Sequence, residues 1–466
     1  AKRLETVMSG SEAGRLVRLA GPLVANNLFG IGIVVSDALM AGRVGPTALA
    51  GVAVGNSLWV PVFLFSLGHL MAIGPTVAQH YGSREPERIA HTLIQGMWLA
   101  VAITVLVEVV LTGRGYLLSL LGVAPDAAGV AAGYLGALAL GVPGLMGYQA
   151  IRQTVEGTGN TVVIMTIGAC ALPVNVLTSY AFIFGKLGLP AYGAVGCGIG
   201  TAITMWLMLG AAILYTRSAS RFAEFAFWRK LEGPHPGTLA SLAGVGAPMG
   251  IAMAMQTGMF SAVALLIATF GTTEVASHQI ALNFSSLVFM MPLGLGMAAT
   301  IRIGHARGAR DPELARRVAR LTVALGVSCA AVGAAVTFFA RQEIAALYST
   351  DPEVRALAAA ILLVATVLQV GDGIQISING CLRGHKDTRV PMLILIATYW
   401  GIGFASAWGL ARPGGLGALG AWIGLTVCLW SSAVFLALRL RHIERGLEGL
   451  REQAAPRTVS GAATAS

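Results

Sequence analysis

Residues 62–72 read VFLFSLGHLMA and residues 288–298 read VFMMPLGLGMA, with six of eleven positions identical at an offset of 226. The same offset, without a gap, pairs Pro22 with Pro248, Gly45 with Gly271, and GSREPE from Gly82 with GARDPE from Gly308. A later run, GAVGCGIG from Gly193, recurs as GALGAWIG from Gly417. Self-similarity at one long period, sustained through both halves, marks a duplicated structural unit. The chain reads as two copies of a unit of roughly 225 residues.

With 466 residues, 56% of them hydrophobic and 11% charged, the chain carries more apolar surface than folding on itself can hide. Its medium is lipid. Apolar runs fall at 17–42, 47–78, 89–112, 127–149, 161–184 and 193–216, and again at 239–269, 277–306, 318–340, 354–380, 390–410 and 416–439. Runs this long predict twelve membrane helices, since the strands of a membrane barrel would alternate over about 10 residues each. The fold class expected is an all-α integral membrane protein of two pseudo-symmetric six-helix lobes. The first run exceeds a signal-peptide core and has no small-residue cleavage site after it, so it reads as a retained span.

The formal net charge of +10 raises the question of nucleic acid, and the positions of the basic residues answer it. With an even number of spans both ends lie on one side, and 25 of the 31 Lys and Arg residues fall there. The other six are Arg43, Arg114, Lys186, Arg341, Arg355 and Arg412. That asymmetry predicts cytoplasmic termini. The five cysteines all lie in or at the ends of apolar spans, which implies neither a disulfide framework nor a metal motif. Beyond about Leu447 apolar periodicity ends, and residues 451–466 read as a disordered tail.

Six spans per copy make both copies enter the membrane in the same direction, which relates them by an axis along the membrane normal. The expected division is 1–220 for the first lobe, 221–236 for a basic cytoplasmic linker with Arg221, Glu224, Arg229 and Lys230, and 237–450 for the second. The 60 glycines, spread through the spans, favour close helix packing. Pro22, Pro61, Pro143, Pro173, Pro248, Pro292 and Pro391 fall inside predicted spans, where each removes a backbone donor and tends to bend the helix.

A carboxylate inside a membrane is expensive, so each one is a candidate functional group. In the first predicted span Asn26, Gly30, Ile33 and Asp37 are spaced +4, +7 and +11, which puts Asn26 and Asp37 on one face. In the tenth, Gln369, Asp372, Gln375 and Asn379 form a polar stripe. Asn175 and Ser179 in the fifth span and Asn56 in the second offer amide and hydroxyl oxygens to the first lobe. Gln256, His278 and Asn283 are the comparable groups of the second. Burial favours the neutral form of a carboxylic acid, so such a site takes up a proton, or else holds a hard monovalent cation among its oxygens. The residues leave both open. Met249, Met253, Gln256 and Phe260 form another stripe, with Met290, Met291 and Met297 nearby, and adaptable thioethers suit a cavity for varied apolar ligands.

The segments DALMAGRV from Asp37, AVGNSLWVP from Ala53, HQIALNFSSLVFM from His278, RIGH from Arg302 and LRGHKDT from Leu382 resemble the multidrug and toxic compound extrusion family, in its NorM-like bacterial branch. The resemblance covers residues 10–445. It implies efflux of organic cations and other drugs, driven by inward sodium ions or protons. Carried over by position, the coupling residues it implies are Asp37, Asn175, Asp372 and Gln256, with Ser179 where relatives have Asn or Asp. Gln256 stands where sodium-coupled relatives have a glutamate. Losing that charge favours proton coupling or a weaker sodium site in the second lobe.

The expected protein is a monomeric antiporter without catalytic residues, metal or cofactor, acting on small cationic amphipathic drugs among membrane lipids and not on nucleic acid. The residues assigned to its substrate cavity are Asn26, Asn56, Gln369, Gln375, Asn379, Met253, Phe260, His278, Asn283 and Met290. No Walker sequence or catalytic triad is present, so ATP use and enzymatic chemistry are not expected. A flippase for lipid-linked oligosaccharide would need a more basic cavity, and a membrane-embedded enzyme would need paired ligands that the isolated His69 and His278 do not supply.

Overall fold

Every long apolar run folds as helix in the computed structural model, which describes residues 11–120, 122–186, 188–225, 227–228, 232–412 and 415–454. Among the described residues eleven helices are long and apolar enough to cross a membrane, and a bent pair supplies a twelfth. In chain order the spans are Glu12–Val44, Pro46–Gly82, Pro86–Thr112, the pair Pro125–Ala139 and Val142–Gly157, Thr161–Phe184, Val195–Ser218, Pro236–Ala268, Thr272–Gly308, Pro312–Tyr348, Pro352–Gly384, Arg389–Ala411 and Gly417–Gly446. We number them 1 to 12. Large apolar side chains such as Val109, Leu177, Leu265 and Phe339 are at least two-thirds exposed, as lipid-facing groups are. The helix of span 12 continues to Ala454, so residues 451–454, assigned to a tail on sequence, are helical. Residues 455–466, like Arg229 and Lys230 of the linker, lie outside the described residues.

Helix starts follow local chemistry. Pro46, Pro86, Pro125, Pro236, Pro312 and Pro352 each open a helix, where the missing N–H has no partner to lose. Asp311 Oδ1 caps span 9 by accepting from the Leu314 N–H at 2.9 Å, and Asp351 does the same for span 10. Two of the prolines predicted mid-span are corrected by this rule. Pro143 sits in the first turn of the second half of span 4, and Pro391 in the first turn of span 11. The two halves of span 4 meet at 50° across Leu140 and Gly141. Pro22, Pro61, Pro173, Pro248 and Pro292 stay within continuous helices.

Four turns on the N-terminal face share one geometry. GSRE at 82–85, GTGN at 157–160, GARD at 308–311 and GHKD at 384–387 close spans 2, 4, 8 and 10. In each, the third residue has positive φ: Arg84 59°, Gly159 82°, Arg310 56° and Lys386 59°. The first and third of these turns are related by the offset of 226, and the second and fourth by 227. The duplication thus survives as backbone conformation where the side chains have diverged.

Two large apolar cores form, one from residues 40–249 and one from Leu16, Ala20 and Leu23 together with residues 252–440, with a small third cluster around Ile280, Ala345 and Val354. The start of span 1 therefore packs into the second lobe, while Leu242 and Met249 of span 7 pack into the first. The crossing is symmetric. A Cβ on Gly68 of span 2 would stand 2.3 Å from Gly250 Cα of span 7, and one on its counterpart Gly294 of span 8 would stand 2.4 Å from Val24 Cγ2 of span 1. At Gly68 the helices approach at backbone distance, and at Gly294 the Val24 side chain, with the Ala20 carbonyl oxygen at 3.2 Å, fills the space a Cβ would take.

At the N-terminal face the symmetry becomes hydrogen bonds. Gln79 Nε2 donates to the Gly384 carbonyl at 3.2 Å, and its counterpart His305 meets the Gly157 carbonyl through Nε2 at 2.8 Å. Arg302 reaches Glu12 at 2.9 and 3.1 Å across the same seam. Further in from this face, Asn27 Nδ2 contacts Met297 Sδ across the lobes at 3.8 Å. Removing both symmetric donors, Gln79→Leu with His305→Leu, is expected to weaken closure of this face by about 2 kcal/mol, at roughly 1 kcal/mol per bond. Spin labels at 83 and 309 check this. An unchanged distance distribution would mean that glycine packing and the Arg302–Glu12 pair hold the seam without these two bonds.

Candidate functional site

Asp37 lies near the far end of span 1, buried at 3% exposure, facing spans 5 and 6. Its Oδ1 accepts from Ser179 Oγ at 3.1 Å and its Oδ2 from Thr201 Oγ1 at 2.9 Å. Asn175 Nδ2 donates to the same Thr201 hydroxyl at 2.9 Å, and Cys197 Sγ donates to the Asp37 carbonyl at 3.6 Å. Bonds to a charged acceptor are worth about twice a neutral one, which keeps a carboxylate tolerable here. The Asn175 Oδ1 is buried without a partner, leaving an acceptor beside the carboxylate. Gly200 makes this possible: a Cβ there would stand 2.4 Å from Ser179 Oγ, so only glycine lets span 6 close on span 5. Tyr134 of span 4 is within electrostatic range of Asp37, and its hydroxyl donates to Asn56 Oδ1 at 3.2 Å.

Asn26, eleven residues earlier, also faces span 5. With its amide turned so that both atoms find partners, it donates to the Ile164 carbonyl at 3.1 Å and accepts from Arg152 at 3.2 and 3.3 Å. Arg152 Nε in turn donates to Glu156 Oε1 at 2.7 Å, and both are buried. The sequence places Arg152 in a loop after a span ending at residue 149. Tertiary packing instead encloses the rest of span 4 between spans 2, 3, 5 and 6, and burial makes the ion pair obligatory.

The second lobe is built differently. Asp372 is half-buried, and it has no hydrogen bond or ion pair among the described residues. Tyr399, on a π-helical stretch of span 11, and Cys428 of span 12 are within its electrostatic range. Gln256 Nε2 donates to Tyr399 Oη at 2.9 Å, so this amide binds the tyrosine. His278 Nδ1 accepts from Trp422 Nε1 at 3.1 Å, which leaves the proton on Nε2, a buried atom without a partner. Gln369 accepts from Thr337 at 3.0 Å through its amide oxygen, while its nitrogen is unpartnered. Both amide atoms of Gln375 are buried and unpartnered, and Asn379 is buried with no hydrogen bond. Met253, Phe260 and Met290 are half-buried, and Asn283 is exposed.

The structure brings Asp37, Asn175 and Ser179 into one constellation and Asp372 with Tyr399 and Gln256 into another. Thr201, Cys197, Tyr134, Tyr399 and the pair Arg152 and Glu156 escape a sequence reading. A signal existed for Thr201, whose hydroxyl directly follows Gly200 in a glycine-rich helix, but it has no acidic neighbour in sequence. No group of three or more metal-ligating His, Cys, Asp or Glu occurs among the described residues.

A family model described as MatE matches residues 22–181 and 248–408, two segments that begin at the equivalent prolines. The solved eukaryotic MATE transporter AtDTX14 shares 20% identity and a TM-score of 0.83 over 94% of this chain and 98% of that one. A MOP superfamily transporter from Pyrococcus furiosus gives 18% and 0.84 over 95% and 98%. An outward-facing multidrug resistance MATE family transporter gives 18% and 0.86 over the same shares.

Proposed function

The chain belongs to the MatE family of multidrug and toxic compound extrusion transporters, and from that premise we propose that it is a secondary multidrug exporter driven by inward protons or sodium ions. It is a multi-pass membrane protein. The proposed setting is a bacterial inner membrane with cytoplasmic termini, supported by the distribution of basic residues. In that orientation the seam between the lobes lies on the cytoplasmic side, and the substrate, a small amphipathic cation, would enter and leave between them.

One observation carries the reading: a buried carboxylate, Asp37, ties three spans together through hydroxyl donors, with a free amide oxygen beside it. Adding a proton to Asp37 converts an acceptor into a donor, so at least one of the Ser179 and Thr201 bonds has to turn. A sodium ion would instead draw on the same oxygens, with Asn175 Oδ1 added. Either event alters how spans 1, 5 and 6 pack, and it biases a two-state rocking of the lobes only by its differential affinity for the two states. In the second lobe the neutral Gln256 leaves Asp372 as the single acid, which supports protons as its cargo.

Drug efflux in proteoliposomes under separately imposed pH and sodium gradients tests this. Asp37→Asn and Asp372→Asn are each expected to lower gradient-driven efflux at least about tenfold, the worth of a step of 1.4 kcal/mol. Normal efflux by both variants under either gradient would remove the coupling roles.

A further inference from the structure

We propose that the face of span 10 formed by Asp372, Gln375, Asn379 and Arg383 lines a hydrated track, along which the coupling proton passes between Asp372 and the face where the lobes meet. The inference rests on the coupling role of Asp372. Spacings of +3, +7 and +11 put the four side chains on one side of a helix, over a rise of roughly 16 Å at 1.5 Å per residue. Gln375 is fully buried, with neither amide atom bonded. Asn379 and Arg383 are 4% and 8% exposed and make no hydrogen bond or ion pair among the described residues.

An unpaired amide or guanidinium inside a protein is costly, and interiors pair such groups with protein or with ordered water. Among the described residues there is no acceptor for the five guanidinium N–H groups and none for the amides. Water is the partner that fits, since every group on the track bonds it in both or either sense.

The internal copy provides the contrast. The turns GTGN and GHKD are 227 residues apart, and that offset places Gln375, Asn379 and Arg383 on Tyr148, Arg152 and Glu156. In the first lobe the two charged positions close on each other: Arg152 donates to Glu156 at 2.7 Å and also to Asn27 at 3.5 Å, while the Tyr148 hydroxyl is buried without a partner among the described residues. In the second lobe the cation has no anion among the described residues. The track therefore belongs to this lobe and is not a by-product of the fold.

The transfer is conservative. A proton leaves the Asp372 carboxyl for an adjacent water, that water passes one of its own to the next, and the last gives one to bulk water at the N-terminal face. Asp372 remains as carboxylate, bonded to water.

Proton flux and drug binding are measured in proteoliposomes for the intact protein and for Gln375→Leu, Asn379→Leu and Asn379→Ser. Each leucine is expected to slow drug-coupled proton flux at least tenfold, and the serine, which still bonds water, to restore it. Normal flux in both leucine variants overturns the track, as does a gain in thermal stability for Gln375→Leu with flux intact, the mark of a dry amide. If Asp372→Asn uncouples transport while the leucine variants behave normally, the track alone fails. If Asp372→Asn transports normally, the coupling role of Asp372 fails first. Radiolytic labelling from bound water in the intact protein gives a readout independent of folding. Label at residues 375–379 is expected, and its absence overturns the track.

Discussion

A valine at Gly308 is expected to abolish transport while leaving the helices folded. A Cβ at this position would stand 1.9 Å from the Gln79 carbonyl oxygen, and one at its counterpart Gly82 would stand 2.1 Å from the His305 carbonyl oxygen. Neither obstacle is a side chain able to swing away. Ordinary contact needs about 3.5 Å, so spans 2 and 8 would have to part by more than about 1.5 Å at the seam. That separation takes Gln79 and His305 out of reach of the carbonyls they bond. The lobes then rest in the arrangement open on this face and cannot return. Thiol accessibility at residue 83 and drug efflux measure it: reactivity from the N-terminal side should rise as efflux falls. Gly210→Val, where nothing lies within 4 Å of the added atom, is the matched control and should transport normally. Normal efflux by Gly308→Val would mean that the seam never needs to close this tightly.

Arg152→Leu is expected to destabilise the first lobe by about 3–5 kcal/mol, because it strands the Glu156 carboxylate inside the protein. The double variant Arg152→Leu with Glu156→Leu should recover most of that loss, since two apolar groups of similar volume replace the pair without an uncompensated charge. Denaturation in detergent of both single variants and the double variant gives the coupling energy directly. Additive losses, with the double variant falling by the sum of the two single variants, would show that the two charges do not act as a unit. Asn26 and Asn27 also lose a donor in Arg152→Leu, so the double variant is expected to fall slightly short of the intact protein.

The parts of the site that could be read from sequence share a property: each lies on a single helix. Asn26 and Asp37, Asn175 and Ser179, and the stripe of span 10 announce themselves through 3.6-residue periodicity, which needs no knowledge of neighbours. Tyr399 shows the opposite case. It lies between aromatic and apolar residues in span 11, and only the packing of that span on span 7 gives its hydroxyl to Gln256.

What the sequence determined alone was the class, the count of spans, the duplication and the two acids, because hydropathy and repetition are properties of the chain taken a few tens of residues at a time. What the tertiary structure decided was which polar groups are satisfied. Thr201 reaches Asp37 only because Gly200 lets two helices touch, and Arg152 and Glu156 sit in a stretch too polar to read as membrane yet are sealed inside by four neighbouring spans. Burial and partnership are set by what surrounds a residue in space, and a linear pattern carries no record of that.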